Sequence, residues 1–292
     1  MNATVNNCTP DGFNLPGSAP IDSGVGEMDT ALRDRRVVIT GASEGIGAGI
    51  SRCFAAEGAR LALCARRPQP LQALADELGT AVDVRLVAAD MTDAGDVQRF
   101  AGEVDAAFGG VDVLVNAVGG ADRLAGFDEL SDDDWLASYE LNLLSAVRVT
   151  RAFLPLLRRA GGGRIINIAS ESGLQPDPFM PHYNAAKAAL INFSKSLSKA
   201  LAGEGILVNC VSPAMTRNAQ VEAMIAARAR DRQVTPVQAQ RELLAEFRPN
   251  IVLGRPGEPH EVGAAVVFLA SAPASFVTGA NLRVDGGSVA SI

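Results

Sequence analysis

From Arg35 onward the chain alternates short apolar runs with longer amphipathic stretches, and this alternation constrains the fold more than any other feature. The apolar runs fall at residues 37–39, 61–64, 82–88, 113–115, 164–169, 206–211 and 281–284. Helical patterns separate them at 46–57, 71–78, 93–108, 131–158, 180–201, 221–247 and 258–270. Strands joined by crossover helices are covered on both faces, so they read as continuous apolar runs. The pattern predicts an α/β fold: one doubly wound parallel sheet of about seven strands with helices on both faces. No linker divides residues 33–292, which read as a single domain.

Composition narrows the function. Lys and Arg number 26 against 33 acids, a net charge of −7, which argues against partners bound through phosphate neutralisation or an anionic membrane surface. The longest apolar runs, such as 263–272, are too short to span a bilayer. Four scattered cysteines (Cys8, Cys53, Cys64, Cys210) and two histidines (His182, His260) show no metal-ligand spacing, so no metal site is expected, and a reducing, cytoplasmic setting is the simplest. Residues 1–32 are expected to form a flexible arm. The first thirty lack Lys and Arg, lack the apolar stretch of a secretory signal, and are too polar to order themselves.

The first run leads into Thr40-Gly41-Ala42-Ser43-Glu44-Gly45-Ile46-Gly47. Glycines at this strand-to-helix turn are where a Rossmann-type dinucleotide fold seats a pyrophosphate on the first helix N-terminus. Gly41 permits the turn, Gly45 lets backbone approach the phosphates, and Gly47 lets the helix pack close to the sheet. The second strand ends Ala65-Arg66-Arg67. Ala65 stands where an NAD site usually carries an acid, and Arg66 can pair with a 2′-phosphate. NADP(H) is therefore the preferred cofactor and NAD(H) the alternative. Glu44 opposes that preference, because a loop carboxylate repels an added phosphate; solvated loop arginines are the plainer reading of Arg66 and Arg67.

Tyr183 and Lys187 stand at i and i+4, on one helix face. A nearby ammonium favours the phenolate, so the pair makes sense as a tuned proton donor. Ser170, at the carboxyl end of the fifth strand, can polarise a carbonyl oxygen there.

These motifs together resemble the short-chain dehydrogenase/reductase family, in its single-domain branch, with similarity to 3-oxoacyl-carrier-protein reductases. The likeness rests on Thr40–Gly47, Asp90, Asn116-Ala117-Val118-Gly119, Asn142, Ser170, Tyr183, Lys187, Asn209, Pro213, Thr216 and Val284-Asp285-Gly286-Gly287, in family order from about residue 33 to 290. It implies an oxidoreductase interconverting a ketone and a secondary alcohol. In that scheme Tyr183 is acid and base, Lys187 lowers its pKa and binds the nicotinamide ribose, Ser170 binds the carbonyl, and Asn142 holds a relay water. It further implies cofactor contacts from Gly41, Ser43, Gly45, Ile46, Gly47, Arg66, Asp90, Met91, Asn116, Gly119, Pro213 and Thr216. Two departures stand out: Ala117-Val118 replaces the usual Asn-Ala, and Ala214 replaces a glycine, so a slightly different nicotinamide pocket is expected. The alternative is a non-catalytic cofactor-binding or structural protein on the same fold.

Other features read more plainly. His182 is expected as a pocket wall or surface residue, Trp135 as core packing, Glu171 and Asp177 as solvated loop acids with contact to a polar substrate as the alternative, and Arg228–Arg232 as a solvated helix face with attraction of an anionic substrate group as the alternative. Residues 215–247, after the sixth strand, are expected to form a substrate lid. The resemblance implies a homo-oligomer, tetramer or dimer, through the 131–158 and Tyr183 helices and through the last strand. Phe153, Leu154, Leu156 and Leu157 supply apolar surplus for the first interface.

Overall fold

A computed structural model describes residues 29–121 and 123–291. Most of the expected arm, residues 1–28, lies outside the described residues. Its last four do not behave as an arm: Leu32 is buried in the core, and the Thr30 carbonyl accepts a hydrogen bond from the Ala272 amide.

The elements run β1 (Arg36–Thr40), α1 (Gly45–Ala56), β2 (Arg60–Ala65), α2 (Pro68–Leu78), β3 (Val84–Ala88), α3 (Ala94–Phe108) and β4 (Val113–Asn116). There follow α4 (Asp132–Tyr139), α5 (Ser145–Arg159), β5 (Gly163–Ile168), α6 (Pro181–Leu201), β6 (Ile206–Pro213), α7 (Ala219–Arg232), α8 (Pro236–Phe247), α9 (Pro259–Ala270) and β7 (Asn281–Val284). The seven strands form one sheet in the order β3-β2-β1-β4-β5-β6-β7, with every pairing parallel. Successive strand residues face opposite sides. Val37 and Ile39 join Ile50, Phe54 and Val266 beneath α1 and α9, while Val38 joins Phe100, Phe153 and Leu157 beneath α3 and α5. Strand order reverses between β1 and β4, so the connections leaving these two strands diverge and open a crevice at the sheet's carboxyl edge.

Three details depart from the pattern in the sequence. The helix expected over 131–158 is interrupted by a π turn, Glu140–Leu144, between α4 and α5. The helical sequence of 221–247 divides where Gln233 takes a left-handed φ of 54° and Pro236 starts a new helix capped by Thr235. Phe153, Leu156 and Leu157, read as interface surplus, are buried in the core under α5, because that helix packs on the sheet and on α3 at once.

Candidate active site

The Gly41–Gly47 loop closes the first βα turn as expected. Gly41 has φ +65°, and a Cβ there would come within 2.8 Å of the Ala117 carbonyl oxygen. Side chains at Gly41 and Gly47 are excluded by backbone that crosses them: the β4 loop for Gly41 and the Gly41 carbonyl itself for Gly47. Close packing of α1 on a neighbouring element falls to Gly49 instead, where a Cβ would meet Pro259 of α9 at 2.5 Å. Glu44 stands at the N-cap of α1, but no side chain caps the helix. Its first amides are left for an anion, in keeping with a pyrophosphate.

The loop opens into a cleft of about 890 Å³ at the β1/β4 crevice. Gly41, Ser43, Gly45, Ile46 and Gly47 line one end, with Arg66, Asp90 and Met91 at the ends of β2 and β3. Gly119, Ser170, Tyr183, Lys187 and Thr216 line the other. Asp90 is held at the rim by accepting from the Thr92 amide at 2.9 Å and hydroxyl at 2.8 Å.

Arg66 is exposed and, among the described residues, makes no ion pair, whereas Arg67 pairs with Glu44. The carboxylate that opposed NADP(H) is thus partly neutralised by the next arginine along. Dinucleotide chemistry fits these residues: free helix amides for a pyrophosphate and an unpaired guanidinium for a 2′-phosphate.

Two expected contacts are absent from the cleft wall. Asn116 is buried, and its Nδ2 donates to Thr150 Oγ1 at 3.1 Å and Asn167 Oδ1 at 2.8 Å. Its side chain turns under the sheet edge to join β4, β5 and α5 rather than up toward a ligand. Pro213 is buried at the end of β6, and the wall passes to Ala214 and Met215. Ala214 needs no glycine: the only described non-glycine residues with positive φ are Ala31, Asp34 and Gln233.

The chemical end is assembled from four elements. Ser170 follows β5; its Oγ accepts from the Ser172 amide at 3.1 Å, and its O–H lies against the Tyr183 phenol. Tyr183 and Lys187 share one face of α6, and the buried Lys187 Nζ donates to the Ile168 carbonyl at 2.9 Å and lies 5.7 Å from the Tyr183 ring centre. Asn142 sits in the π turn and does not itself line the cleft. Its Oδ1 accepts from the Gly120 amide at 2.9 Å, and its Nδ2 donates to the Gly120 and Ser138 carbonyls at 3.1 Å. Gly119 draws these parts together: a Cβ there would stand 2.7 Å from Lys187 Nζ and 2.8 Å from Asn142 Oδ1. A π turn re-aims side chains within a helix and recurs at functional sites; here it brings Asn142 onto the β4 loop.

Burial lowers the Lys187 ammonium to about 8. Burial also raises the Tyr183 phenol above its ordinary value; the Ser170 hydroxyl and then the Arg248 charge pull it down. Lys187 is not among the groups that chiefly set this balance.

His182 is buried beside Trp135, ring centres 6.3 Å apart, and does not line the cleft. Trp135, expected in the core, is only partly buried. Glu171 and Asp177, read as solvated acids, flank a half-buried Arg248. Its Nε lies 2.8 Å from Glu171 Oε1 and its Nη2 3.2 Å from Asp177 Oδ2. Burial raises both carboxyls, against the pull of Arg248. Spacing held no sign of this cluster, because Arg248 arrives from the far end of α8.

The segment 215–247 covers the cleft with Met215, Thr216, Asn218, Val221, Met224 and Phe247. It has a small core of its own around Val221, Ile225 and Ala239. Arg217 ties it down, with Nε 2.9 Å from Glu258, Nη2 2.9 Å from Gln240, and a further pair to Glu222. In the basic stretch, Arg228 pairs with Glu246 and stacks over Phe247, 6.0 Å from its centre.

Residues 41–289 match a family model described as enoyl-(acyl carrier protein) reductase. The chain is 38% identical over 251 residues to galactitol 2-dehydrogenase (L-tagatose-forming) of Cereibacter sphaeroides, covering 85% of this chain and 92% of that protein. It is 33% identical over 266 residues to a 3-oxoacyl-[acyl-carrier-protein] reductase of Chlamydia muridarum, covering 89% and 99%. Among solved structures, L-sorbose reductase of Gluconobacter frateurii, complexed with NADPH and L-sorbose, superposes with a TM-score of 0.85 at 33% identity, covering 91% of this chain and all of that one.

Proposed function

The chain belongs to the short-chain dehydrogenase/reductase family of NAD(P)-dependent oxidoreductases acting on CH–OH and C=O groups, and from that premise we propose that it interconverts a ketone and a secondary alcohol with NADP(H) as preferred cofactor. The observation that carries this reading is the convergence of Ser170, Tyr183 and Lys187 on the wall of one cleft, with Asn142 behind them and the glycine loop at the other end. A 3-oxoacyl group is one substrate this chemistry serves.

Bound in the cleft, the nicotinamide cofactor supplies or accepts the hydride. Gly41, Ser43, Gly45, Ile46 and Gly47 would hold its pyrophosphate end, Arg66 a 2′-phosphate, Asp90 and Met91 the adenine, and Gly119, Lys187 and Thr216 the nicotinamide side. On substrate entry the Ser170 O–H turns from the Tyr183 oxygen to the substrate carbonyl and polarises it. Tyr183 gives its phenol proton to that oxygen in reduction and takes it back in oxidation. Lys187, at about 8, exchanges a proton near neutral pH and passes it to Tyr183. Asn142, locked on the Gly120 backbone, positions the route from Lys187 to solvent. The test is Tyr183→Phe, which removes one oxygen and leaves packing nearly intact. Turnover should fall about 10²–10⁴-fold with NADPH binding retained, and near-normal turnover removes Tyr183 from the mechanism.

The protein is further read as a cytoplasmic homo-oligomer, tetramer or dimer. Among the described residues no helix is long and apolar enough to cross a membrane. The apolar residues that support association are Leu136 and Leu144 near the α4/α5 junction, with Phe268 and Phe276 ahead of β7, all exposed. A monomeric mass by light scattering at micromolar concentration overturns the oligomer.

A further inference from the structure

The carboxylate of Glu171 is out of place for a residue that only fills space. It opens the 3₁₀ turn directly after Ser170, lines the cleft, and is 3% exposed. Arg248 Nε pairs with Oε1 at 2.8 Å, which leaves Oε2 without an aligned hydrogen-bond partner among the described residues. Ser288 brings its hydroxyl against the same carboxyl, without an aligned bond of its own. A buried acceptor left unmatched costs stability unless a ligand or water completes it. The cleft it lines also carries the apolar side chains of Leu124, Phe179, Met180, Val221, Met224 and Phe247, with Arg248, Ser170 and Tyr183 among its polar groups. A carboxylate placed among apolar side chains helps fix the orientation of whatever enters.

The neighbouring charge narrows the class. Glu171 and Asp177 share the one guanidinium of Arg248, so the cluster holds two acids to one base. Arg248 is already engaged by both carboxylates and is poorly placed to receive an acid group from a substrate, and the excess negative charge opposes one. An uncharged hydroxyl meets neither obstacle.

We propose that Glu171 selects the substrate: its unmatched oxygen accepts a hydrogen bond from a hydroxyl on the carbon beside the reacting carbonyl. The substrate class is then an uncharged α-hydroxyketone and the corresponding polyol, in preference to a plain ketone or one bearing a carboxylate. Glu171 touches substrate through this bond, while Arg248 and Asp177 act as positioning residues that hold the carboxylate at the cleft wall. This assignment rests on the ketone/alcohol reading above and deepens it.

The experiment compares NADPH oxidation with 1-hydroxy-2-butanone, 2-butanone and acetoacetate for the natural protein, Glu171→Leu and Glu171→Gln. NADPH binding measured by fluorescence serves as the control for folding. The natural protein should prefer the hydroxyketone over both others in kcat/KM. A hydrogen bond to a charged group corresponds to a factor of about 10–150. The hydroxyketone-to-ketone ratio should therefore collapse by about that factor in Glu171→Leu and by less in Glu171→Gln, which retains a neutral acceptor. Comparing ratios between variants removes the intrinsic reactivity of the two ketones. Should Glu171→Leu not fold, the loss in Glu171→Gln carries the test. A natural protein that reduces 2-butanone or acetoacetate as well as the hydroxyketone, or a ratio unmoved in both variants, overturns the assignment of Glu171 while the oxidoreductase reading stands. No reduction of any of the three, nor of L-sorbose or a 3-oxoacyl ester, overturns that reading and this one with it.

Discussion

Lys187→Met should make the protein more stable at neutral pH while abolishing its activity. Lys187 is 3% exposed and has one hydrogen-bond acceptor, the Ile168 carbonyl at 2.9 Å. Burial lowers its ammonium from 10.5 to about 8. At about 1.4 kcal/mol per pH unit, that drop corresponds to about 3 kcal/mol of penalty on the charged form in the native state. Methionine has similar length and no charge to desolvate. Against that gain stand the unmatched Ile168 carbonyl and the lost contact with the Tyr183 ring, together about 1–2 kcal/mol. The variant should therefore be more stable at pH 7 by about 1–2 kcal/mol.

The pH dependence separates this account from a general packing effect. Because the native pKa lies below the unfolded one, the unfolded chain binds more protons between about pH 8 and 10.5, so the natural protein gains stability as pH rises through that window. Below pH 8 both states are protonated and the penalty is constant. By pH 9.5 about 2 kcal/mol of it should be relieved, and the advantage of the variant should vanish or reverse. Burial also raises Cys64 to about 12 and Cys210 to about 11. Cys64 costs stability as pH rises above about 9 in both proteins and drops out of the difference, whereas the Lys187 charge holds Cys210 down, so its loss makes the variant fall further with pH, in the same direction as the expected change. Urea unfolding of the two proteins at pH 7.0, 8.5 and 9.5 is the assay. A variant less stable at pH 7, or a stability difference that stays flat from pH 7 to 9.5, refutes the reasoning.

Two further expectations concern the cofactor and the lid. Arg66→Ala should lower the NADPH-to-NADH ratio of kcat/KM by about 10–150-fold, the range for a hydrogen bond to a charged group; an unchanged ratio returns Arg66 to a solvated loop charge. Arg67→Ala should lower the same ratio more weakly, by about 3-fold, because it frees Glu44 to face the 2′-phosphate across solvent; a ratio that rises contradicts the pairing. Residues 215–247 should show hydrogen exchange that slows when cofactor and product bind, since the pair of helices has its own small core over the cleft. Equal, high protection in both states makes it a fixed wall instead of a lid.

Apolar runs and glycine spacing were enough for the sheet, its parallel sense and the nucleotide end, because each depends on residues close together in the chain. A strand buried on both faces must be continuously apolar, and an anion at a helix N-terminus needs glycines within one turn. The pair Tyr183 and Lys187 was legible for the same reason, since helical periodicity alone puts them on one face. The residues that sequence reading placed wrongly depend on contacts across the fold. Asn116 faces Thr150 and Asn167 instead of a ligand, Phe153 and Leu157 fill the core under α5, and His182 meets Trp135. Asn142 reaches the site because five residues adopt a π turn, a local register that periodicity does not encode. The substrate end was decided by tertiary structure alone. Glu171, Asp177 and Arg248 are loop acids and a helix-end base in the sequence, and only the tertiary structure brings Arg248, at the end of α8, between the two acids after β5. Desolvation is a property of the assembled environment, and it turns an ordinary carboxylate into a selective one.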